Sequence, residues 1–257
     1  MTLRPASRQT VPERPDYMTL FSMIKRCYRE ALALRKLVVA EKAKLVTRTD
    51  IINYCIETRN AKSYLEIGVR NPADNFDKIE CPKKTSVDPG VEFKQNPVDF
   101  KLTSDEFYAF WKSNSLDSFD VIFIDGLHRA EQVARDIMHA VEMTSEAGII
   151  LLHDCNPPHA VFAREKFDRD SVAGDWWNGT TWKATWDFFF NGSHALKVID
   201  TDWGVGVIDK TKPRPPRDKC TLFFEFQEFN DEKRKVGYLI SWAEAKNWLG
   251  NKHSDTD

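Results

Sequence analysis

Two stretches of the chain are apolar without interruption and end in chemically capable residues. Val121-Ile122-Phe123-Ile124 runs into Asp125-Gly126-Leu127-His128, and Gly148-Ile149-Ile150-Leu151-Leu152 runs into His153-Asp154-Cys155-Asn156. With no polar alternation, such runs read as strands covered on both faces, as in a parallel sheet. Upstream, Tyr64-Leu65-Glu66-Ile67 is a short strand entering Gly68-Val69-Arg70, and Thr85-Ser86-Val87 closes at Asp88-Pro89-Gly90. Val98–Leu102 reads as a further strand ahead of a helix over Glu106–Lys112, with Ser104 or Asp105 equally able to serve as its N-cap. Leu196–Ile199 and Val205–Ile208 flank Asp200-Thr201-Asp202-Trp203-Gly204 and predict an antiparallel pair at the sheet edge.

Helical spacing appears three times before the last third of the chain. From Tyr17, the residues Leu20, Ile24, Tyr28, Ala31 and Leu32 recur on one face, and a second run covers Thr49 to Glu57. Arg129–Met143 places Val133, Ile137, Ala140 and Val141 together. Residues 157–195 show the least regular pattern. Lys212–Arg217 reads as a proline-rich linker, followed by a strand over Thr221–Phe226 and a helix near Ser241–Leu249. The order predicts an α/β fold: a Rossmann-like, doubly wound, mostly parallel seven-stranded sheet with a terminal antiparallel hairpin. The expected organisation is a flexible arm (1–16), a helical cap (17–59), a core (60–210) and a C-terminal extension (211–257). The cap and the extension are each candidates for a homodimer contact.

Composition narrows the class. At 257 residues the chain suits one α/β domain with appendages. A net charge of −2 gives no general attraction to nucleic acid or anionic membranes. Five cysteines without a CxxC pair read as reduced thiols. With no long apolar run and no signal-peptide core at the start, the expectation is a soluble, cytoplasmic protein without a membrane span.

In open α/β sheets ligands bind beyond the carboxyl ends of the strands, where Asp125, His128, His153 and Asp154 fall. Gly68 permits a tight turn, and Asp88, 20 residues on at the end of the next strand, suits a ribose diol because a carboxylate accepts from both hydroxyls. No GxGxxG is present, which disfavours a pyrophosphate cradle and a nicotinamide cofactor.

This pattern resembles the class I S-adenosylmethionine-dependent methyltransferases over roughly residues 60–210. The resemblance is carried by Leu65-Glu66-Ile67-Gly68-Val69-Arg70, Ser86-Val87-Asp88-Pro89, Phe123-Ile124-Asp125-Gly126-Leu127-His128 and Leu152-His153-Asp154-Cys155-Asn156-Pro157. The last two look like the small-molecule and sugar O-methyltransferases of macrolide-sugar and catechol type. Thr201-Asp202-Trp203-Gly204-Val205-Gly206 looks like bacterial members associated with glycan or polysaccharide modification.

The resemblance implies roles by position. Glu66, Gly68, Val69 and Arg70 would meet the methionine end of the donor, Asp88 its ribose and Ser104 its adenine. Asp125 would lie near the donor or a divalent metal such as Mg²⁺, with Asp154 and Asn156 as further metal ligands and His128 as the catalytic base. His153, Trp177, Trp182 and Lys183 are candidates for contact with a small-molecule or glycan substrate. Two departures stand out. Arg70-Asn71-Pro72 replace the usual later glycines, and Cys155 stands where metal-dependent relatives carry Asp or Asn. The expected reaction is methyl transfer to a hydroxyl, most suitably of a sugar or glycan precursor. Rival readings are another cofactor enzyme on the same fold, such as an oxidoreductase or hydroxylase relative, and a non-catalytic binding module. A nucleic-acid methyltransferase would need a basic face.

Overall fold

The structure is a computed structural model that describes residues 17–93, 95, 97–216 and 224–250. The N-terminal arm expected at 1–16 and the first residues of the strand expected at 221–226 lie outside the described residues. Two helices lead, α1 (Tyr17–Lys42) and α2 (Arg48–Arg59). Then come β1 (Ser63–Ile67), β2 (Lys83–Val87), α3 (Ser104–Ser113), β3 (Phe119–Ile124), α4 (Ala130–Met143) and β4 (Thr144–Leu152). The chain continues with α5 (Thr181–Asn191), β5 (His194–Ile199), β6 (Val205–Pro213), α6 (Phe226–Glu232), β7 (Leu239–Ile240) and α7 (Trp242–Gly250).

The seven strands form one sheet in the order β2-β1-β3-β4-β6-β5-β7. The first four in that order are mutually parallel, β6 is antiparallel to both β4 and β5, and β7 is parallel to β5. This is the α/β, Rossmann-like arrangement read from the sequence, with two differences. The expected third strand is reduced to one bridge, Val87 to Phe100. Beside it Asp99 accepts from the backbone N–H and hydroxyl of Ser86, so a side chain takes up a ladder donor. The antiparallel pair is not the sheet edge either, because β7 from the C-terminal segment adds a further strand outside β5.

The apolar runs follow from burial on both faces. Ile122, Ile124, Ile150 and Leu152 point to one side, under α4 (Val133, Ile137, Ala140) and α5 (Trp182, Trp186, Phe189). Val121, Phe123, Ile149 and Leu151 point to the other, under α2 (Ile51, Ile52, Cys55, Ile56) and α7 (Ala245, Leu249). Successive strand residues alternate faces, so a sheet sandwiched by helices needs apolar residues at every position. α5 falls in the region that read as irregular: its Thr-Trp-Lys-Ala-Thr-Trp-Asp-Phe-Phe-Phe sequence is rich in weak helix formers and is set in place by packing. Phe226, expected in a strand, begins α6.

Register brings the functional ends together. Ile67 pairs with Val87 and Ile124, and Ile124 with Leu152. Leu152 pairs with Gly206, and Ile199 with Val205. The ends of β1, β2, β3 and β4 and the β5–β6 connection therefore share one edge. Two glycines tighten it. Gly68 (φ +93) lies so close to the Asp125 carbonyl that a Cβ would approach it to 2.2 Å. Gly204 (φ +91) would place a Cβ 2.4 Å from the Asn156 backbone nitrogen. Among the described residues no helix is long and apolar enough to cross a membrane.

Candidate active site

Six charged or titratable side chains converge at this edge: Arg48, Asp125, His128, His153, Asp154 and Asp202. Asp125 and His128 follow β3, His153 and Asp154 follow β4, Asp202 sits in the β5–β6 connection, and Arg48 opens α2. The β5–β6 connection is unusual in carrying three consecutive left-handed residues, Asp202, Trp203 and Gly204. Its Trp203 and Gly204 carbonyls accept from Asn156 N–H (2.8 Å) and Cys155 N–H (3.0 Å), which locks the loop after β4 to the hairpin turn. Asp154 is itself left-handed (φ 58), a conformation that costs a non-glycine residue energy and gathers at functional sites.

His128 lies between two carboxylates. Its Nε2 is 3.3 Å from Asp125 Oδ1 and its Nδ1 3.2 Å from Asp154 Oδ2. The outer oxygens are held separately: Arg48 Nη1 donates to Asp125 Oδ2 (3.0 Å) and Asn178 Nδ2 to Asp154 Oδ1 (2.5 Å). His153 contacts the same two acids through Nδ1 (3.3 Å to each) and reaches Asp202 Oδ1 through Nε2 (3.3 Å). Arg48 Nη1 also lies 3.0 and 3.1 Å from the two nitrogens of His153, and the Arg48 backbone N–H donates to Asp202 Oδ2 (2.8 Å).

The charges of these groups are set by each other. Burial pushes the His128 pKa down, but Asp154 and Asp125 outweigh it and hold it above 6.5. For His153, burial and the nearby Arg48 are likewise outweighed by Asp125 and Asp154, and its pKa lies well above the usual range. Burial would raise the Asp125 carboxyl, yet His153 and Arg48 bring it well below the ordinary value. Asp202, despite its burial, is brought to about 2 by His153 and Arg48.

The segment 176–182 closes one side. Gly179 (φ +64) sits against the His128 carbonyl, Thr180 N–H donates to that carbonyl (2.8 Å), and the Thr180 hydroxyl accepts from Ala130 N–H (2.8 Å). That last bond supplies the side-chain cap that Arg129 does not give α4. Trp177 lies 5.3 Å from the His128 ring, and Trp176 stacks on Trp203.

The structure gathers Asp125, His128, His153 and Asp154 and sets Trp177 beside them. It places other expected site residues elsewhere. Trp182 is buried among Phe226 and Phe229 and belongs to the core under α5. Lys183, one residue on, lies over the Trp182 and Phe224 rings. Asn156 does not join Asp125 and Asp154: its amide donates to Asp200 (3.2 Å) and accepts from Lys233 Nζ (2.7 Å). Of the residues expected to meet the donor, Asp88 follows β2 and its Oδ1 accepts from Gly90 N–H (2.6 Å). Glu66 is buried, held by the Tyr64 hydroxyl (2.6 Å) and the Asn75 amide (2.9 Å). Val69 is buried, whereas Arg70 is exposed near Asp74 and Glu92. Ser104 receives a hydrogen bond from Gln132 (3.0 Å), and the cap of α3 is Thr103 in a capping box with Glu106.

Sequence reasoning passed over Arg48, Asp202 and Asn178. Thr47-Arg48-Thr49-Asp50 is a capping box, so a helix start at Arg48 was legible there, although no local signal shows its side chain crossing to β3.

Asp125, His128 and Asp154 bring ligand-type atoms within 4.8 Å of one another. The donor set nevertheless does not fit Mg²⁺, which prefers oxygen. Only two of the carboxylates, Asp125 and Asp154, belong to this group, Asp202 being held by His153 and Arg48; imidazoles fill the remaining directions, and a guanidinium stands at Asp125. Asn156 is engaged elsewhere, and the Cys155 thiol is buried against the Leu152 and His153 carbonyls, its pKa raised by burial.

Residues 37–155 match a family model described as a methyltransferase domain. The comparison with curated protein sequences gives no match. Among solved structures, an O-methyltransferase from Bacillus cereus in complex with SAH is 11% identical, with 72% of this chain and 90% of that chain covered and a TM-score of 0.44. A putative caffeoyl-CoA O-methyltransferase from Staphylococcus aureus is 15% identical (75% and 99% covered, TM-score 0.44). The sugar N-methyltransferase KedS8 from Streptoalloteichus is 9% identical (81% and 98% covered, TM-score 0.43).

Glu66 gives the site a measurable pH signature. Burial raises its pKa from 4.5 to about 7 against the hydrogen bond from Tyr64. The folded state thus binds this proton more tightly than the unfolded chain, and the stability it confers is complete below 4.5 and lost as pH rises through 7. The loss is roughly 3 kcal/mol by linkage. Glu66→Gln, which keeps the acceptor for Tyr64, should remove most of that slope in denaturant titrations between about pH 5 and pH 8. Equal slopes in the two proteins would show that Glu66 is ionised in the fold.

Proposed function

Residues 37–155 match a methyltransferase domain model, and we propose that the chain is a class I S-adenosylmethionine-dependent methyltransferase whose transfer is to an oxygen of a small polar acceptor, with a sugar or glycan-precursor hydroxyl the class it suits best. The observation that carries the proposal is His128 set between Asp125 and Asp154 beside the Trp177 ring. An amine attacks a sulfonium through its own lone pair. A hydroxyl is a weak nucleophile until its proton leaves, so an imidazole made more basic by two carboxylates is the group an oxygen acceptor calls for. The aromatic face beside it suits the apolar face of a sugar ring, with the polar cluster left to meet its hydroxyls.

In this reading the donor lies across the ends of β1 and β2. Asp88 accepts from the ribose hydroxyls, while Gly68 supplies the turn at the methionine end, with Glu66 held by Tyr64 and Asn75 two residues before it. The acceptor's hydroxyl oxygen is held in line with the methyl carbon, and alignment supplies much of the rate. As the carbon–oxygen bond forms and the carbon–sulfur bond breaks, neutral His128 takes the hydroxyl proton at Nε2, whose 3.3 Å contact with Asp125 Oδ1 gives way to the acceptor while the Nδ1–H stays toward Asp154. The imidazolium is then stabilised by Asp154 and Asp125, which need not be protonated themselves. No step is assigned to a metal.

Calorimetric titration with S-adenosylhomocysteine should show one site per chain in EDTA. Asp88→Ala should weaken it by about ten- to a hundredfold, the cost of losing hydrogen bonds to a charged group. An unbound wild-type protein would sink the donor assignment.

Once sugar and glycan-precursor screening supplies an acceptor, kcat should rise with pH along a limb whose midpoint lies above 6.5, because the base works only when deprotonated. Asp154→Asn should move that limb to lower pH, since a negative neighbour no longer favours the protonated ring. A flat profile in wild type would remove His128 from the role of base.

A further inference from the structure

A site with three carboxylates at one sheet edge needs positive charge, and a divalent ion is one source that could supply it. Asp125, Asp154 and Asp202 meet here, yet the chain already places a cation among them. Arg48 Nη1 lies 3.0 Å from Asp125 Oδ2 and 3.0 and 3.1 Å from the nitrogens of His153. Its backbone N–H donates to Asp202 Oδ2 (2.8 Å), and its Nε is 4.0 Å from the same oxygen. A guanidinium keeps its charge throughout the working pH range, unlike an amine or an imidazole.

Arg48 is not a wandering surface side chain. It is the first residue of α2, whose start is fixed by the Thr47–Asp50 capping box and whose Ile51, Ile52, Cys55 and Ile56 are buried against the sheet. The oxygen ligands a hard ion would want are directed elsewhere at the same time. Asn156 is held by Lys233 and Asp200, and Asn178 holds Asp154 Oδ1. The mismatch with Mg²⁺ and the position of Arg48 thus have one explanation.

We propose that Arg48 is the resident cation of this site: it takes the place of a divalent metal, orients Asp125 toward His128, and makes the protein independent of added metal. Arg48 is a positioning residue in this account. By engaging Asp125 Oδ2 it leaves Oδ1 facing His128 and His153, at 3.3 Å from each. A divalent ion approaching Asp125 would meet a fixed positive charge within about 3 Å of the carboxylate, a repulsion that water screens poorly in a half-buried site. Removing the guanidinium takes away the one permanent positive charge at Asp125 and leaves the acids with imidazole and amide partners only, and buried carboxylates short of positive charge favour a metal.

The proposal rests on reading this cluster as the active site, and its test needs neither donor nor acceptor, so it fails separately from the methyltransferase assignment. Mn²⁺ and Mg²⁺ are titrated calorimetrically into the metal-stripped full chain, as wild type, Arg48→Gln and Arg48→Lys, with thermal melts to establish that each is folded. Wild type and Arg48→Lys should show no saturable binding below millimolar ion. Arg48→Gln should gain a one-to-one Mn²⁺ site at least about tenfold tighter, the change expected when a like charge leaves a carboxylate site. A merely structural role for Arg48 predicts no such gain. Arg48→Met, which keeps most of the side chain's apolar stem, stands in if the glutamine variant does not fold. Stoichiometric micromolar binding of either ion to wild type would overturn the proposal. A folded Arg48→Gln or Arg48→Met that binds no better than wild type would overturn it equally.

Discussion

Asp125 and Asp154 follow neighbouring parallel strands, and the antiparallel β5–β6 connection carries Asp202 to the same edge, so register brings the three acids together. Carboxylates so placed repel strongly where water is scarce, and much of the surrounding chain is arranged around that repulsion. His128 and His153 lie between the acids, Arg48 reaches in from α2, and Asn178 takes one oxygen of Asp154. Losing one partner from such a set costs more than the interaction itself, because the remaining charges stay buried. The start of α2 and the β5–β6 connection are therefore bound to this cluster as well as to the sheet.

The cluster is held from behind by a second network. Asn156, two residues beyond Asp154, accepts from Lys233 in the C-terminal segment and donates to Asp200, which also pairs with Lys44 and Arg234. Lys233 is buried enough that its pKa falls to about 8, the loss of solvation outweighing the attraction of Asp200. Gly204 then presses on the Asn156 backbone from the hairpin turn. Chain segments on both sides of the core thus fix the loop that presents Asp154. This gives the residues after β6 a purpose: β7 extends the sheet, and Lys233 braces the site.

What the sequence made legible was what local pattern determines. Val121–Ile124 and Gly148–Leu152 were readable as covered strands because every position is apolar, and the residues that follow them were readable as site candidates because strand ends bind ligands. Arg48 and Asp202 carried no such mark. Their roles depend on how α2 packs across β3 and on the left-handed turn at 202–204, both of which are long-range outcomes. Trp182 was misread for a related reason. A tryptophan near a cleft and one in a core look alike along the chain, and only α5, whose weak helix formers hid it, decides which face the ring takes. Asn156 looked like an oxygen ligand by position, but Lys233, 77 residues away, competes for it.

The central claim is that protein-borne cations, with Arg48 foremost, neutralise the acid cluster of the proposed active site. A crystal structure of the S-adenosylhomocysteine complex grown with Mn²⁺, with anomalous data at the manganese edge, tests it most directly. The account predicts donor product across the ends of β1 and β2, Arg48 on Asp125, and no anomalous peak between Asp125 and Asp154. A manganese peak ligated by those two carboxylates, with Arg48 swung away, would contradict it.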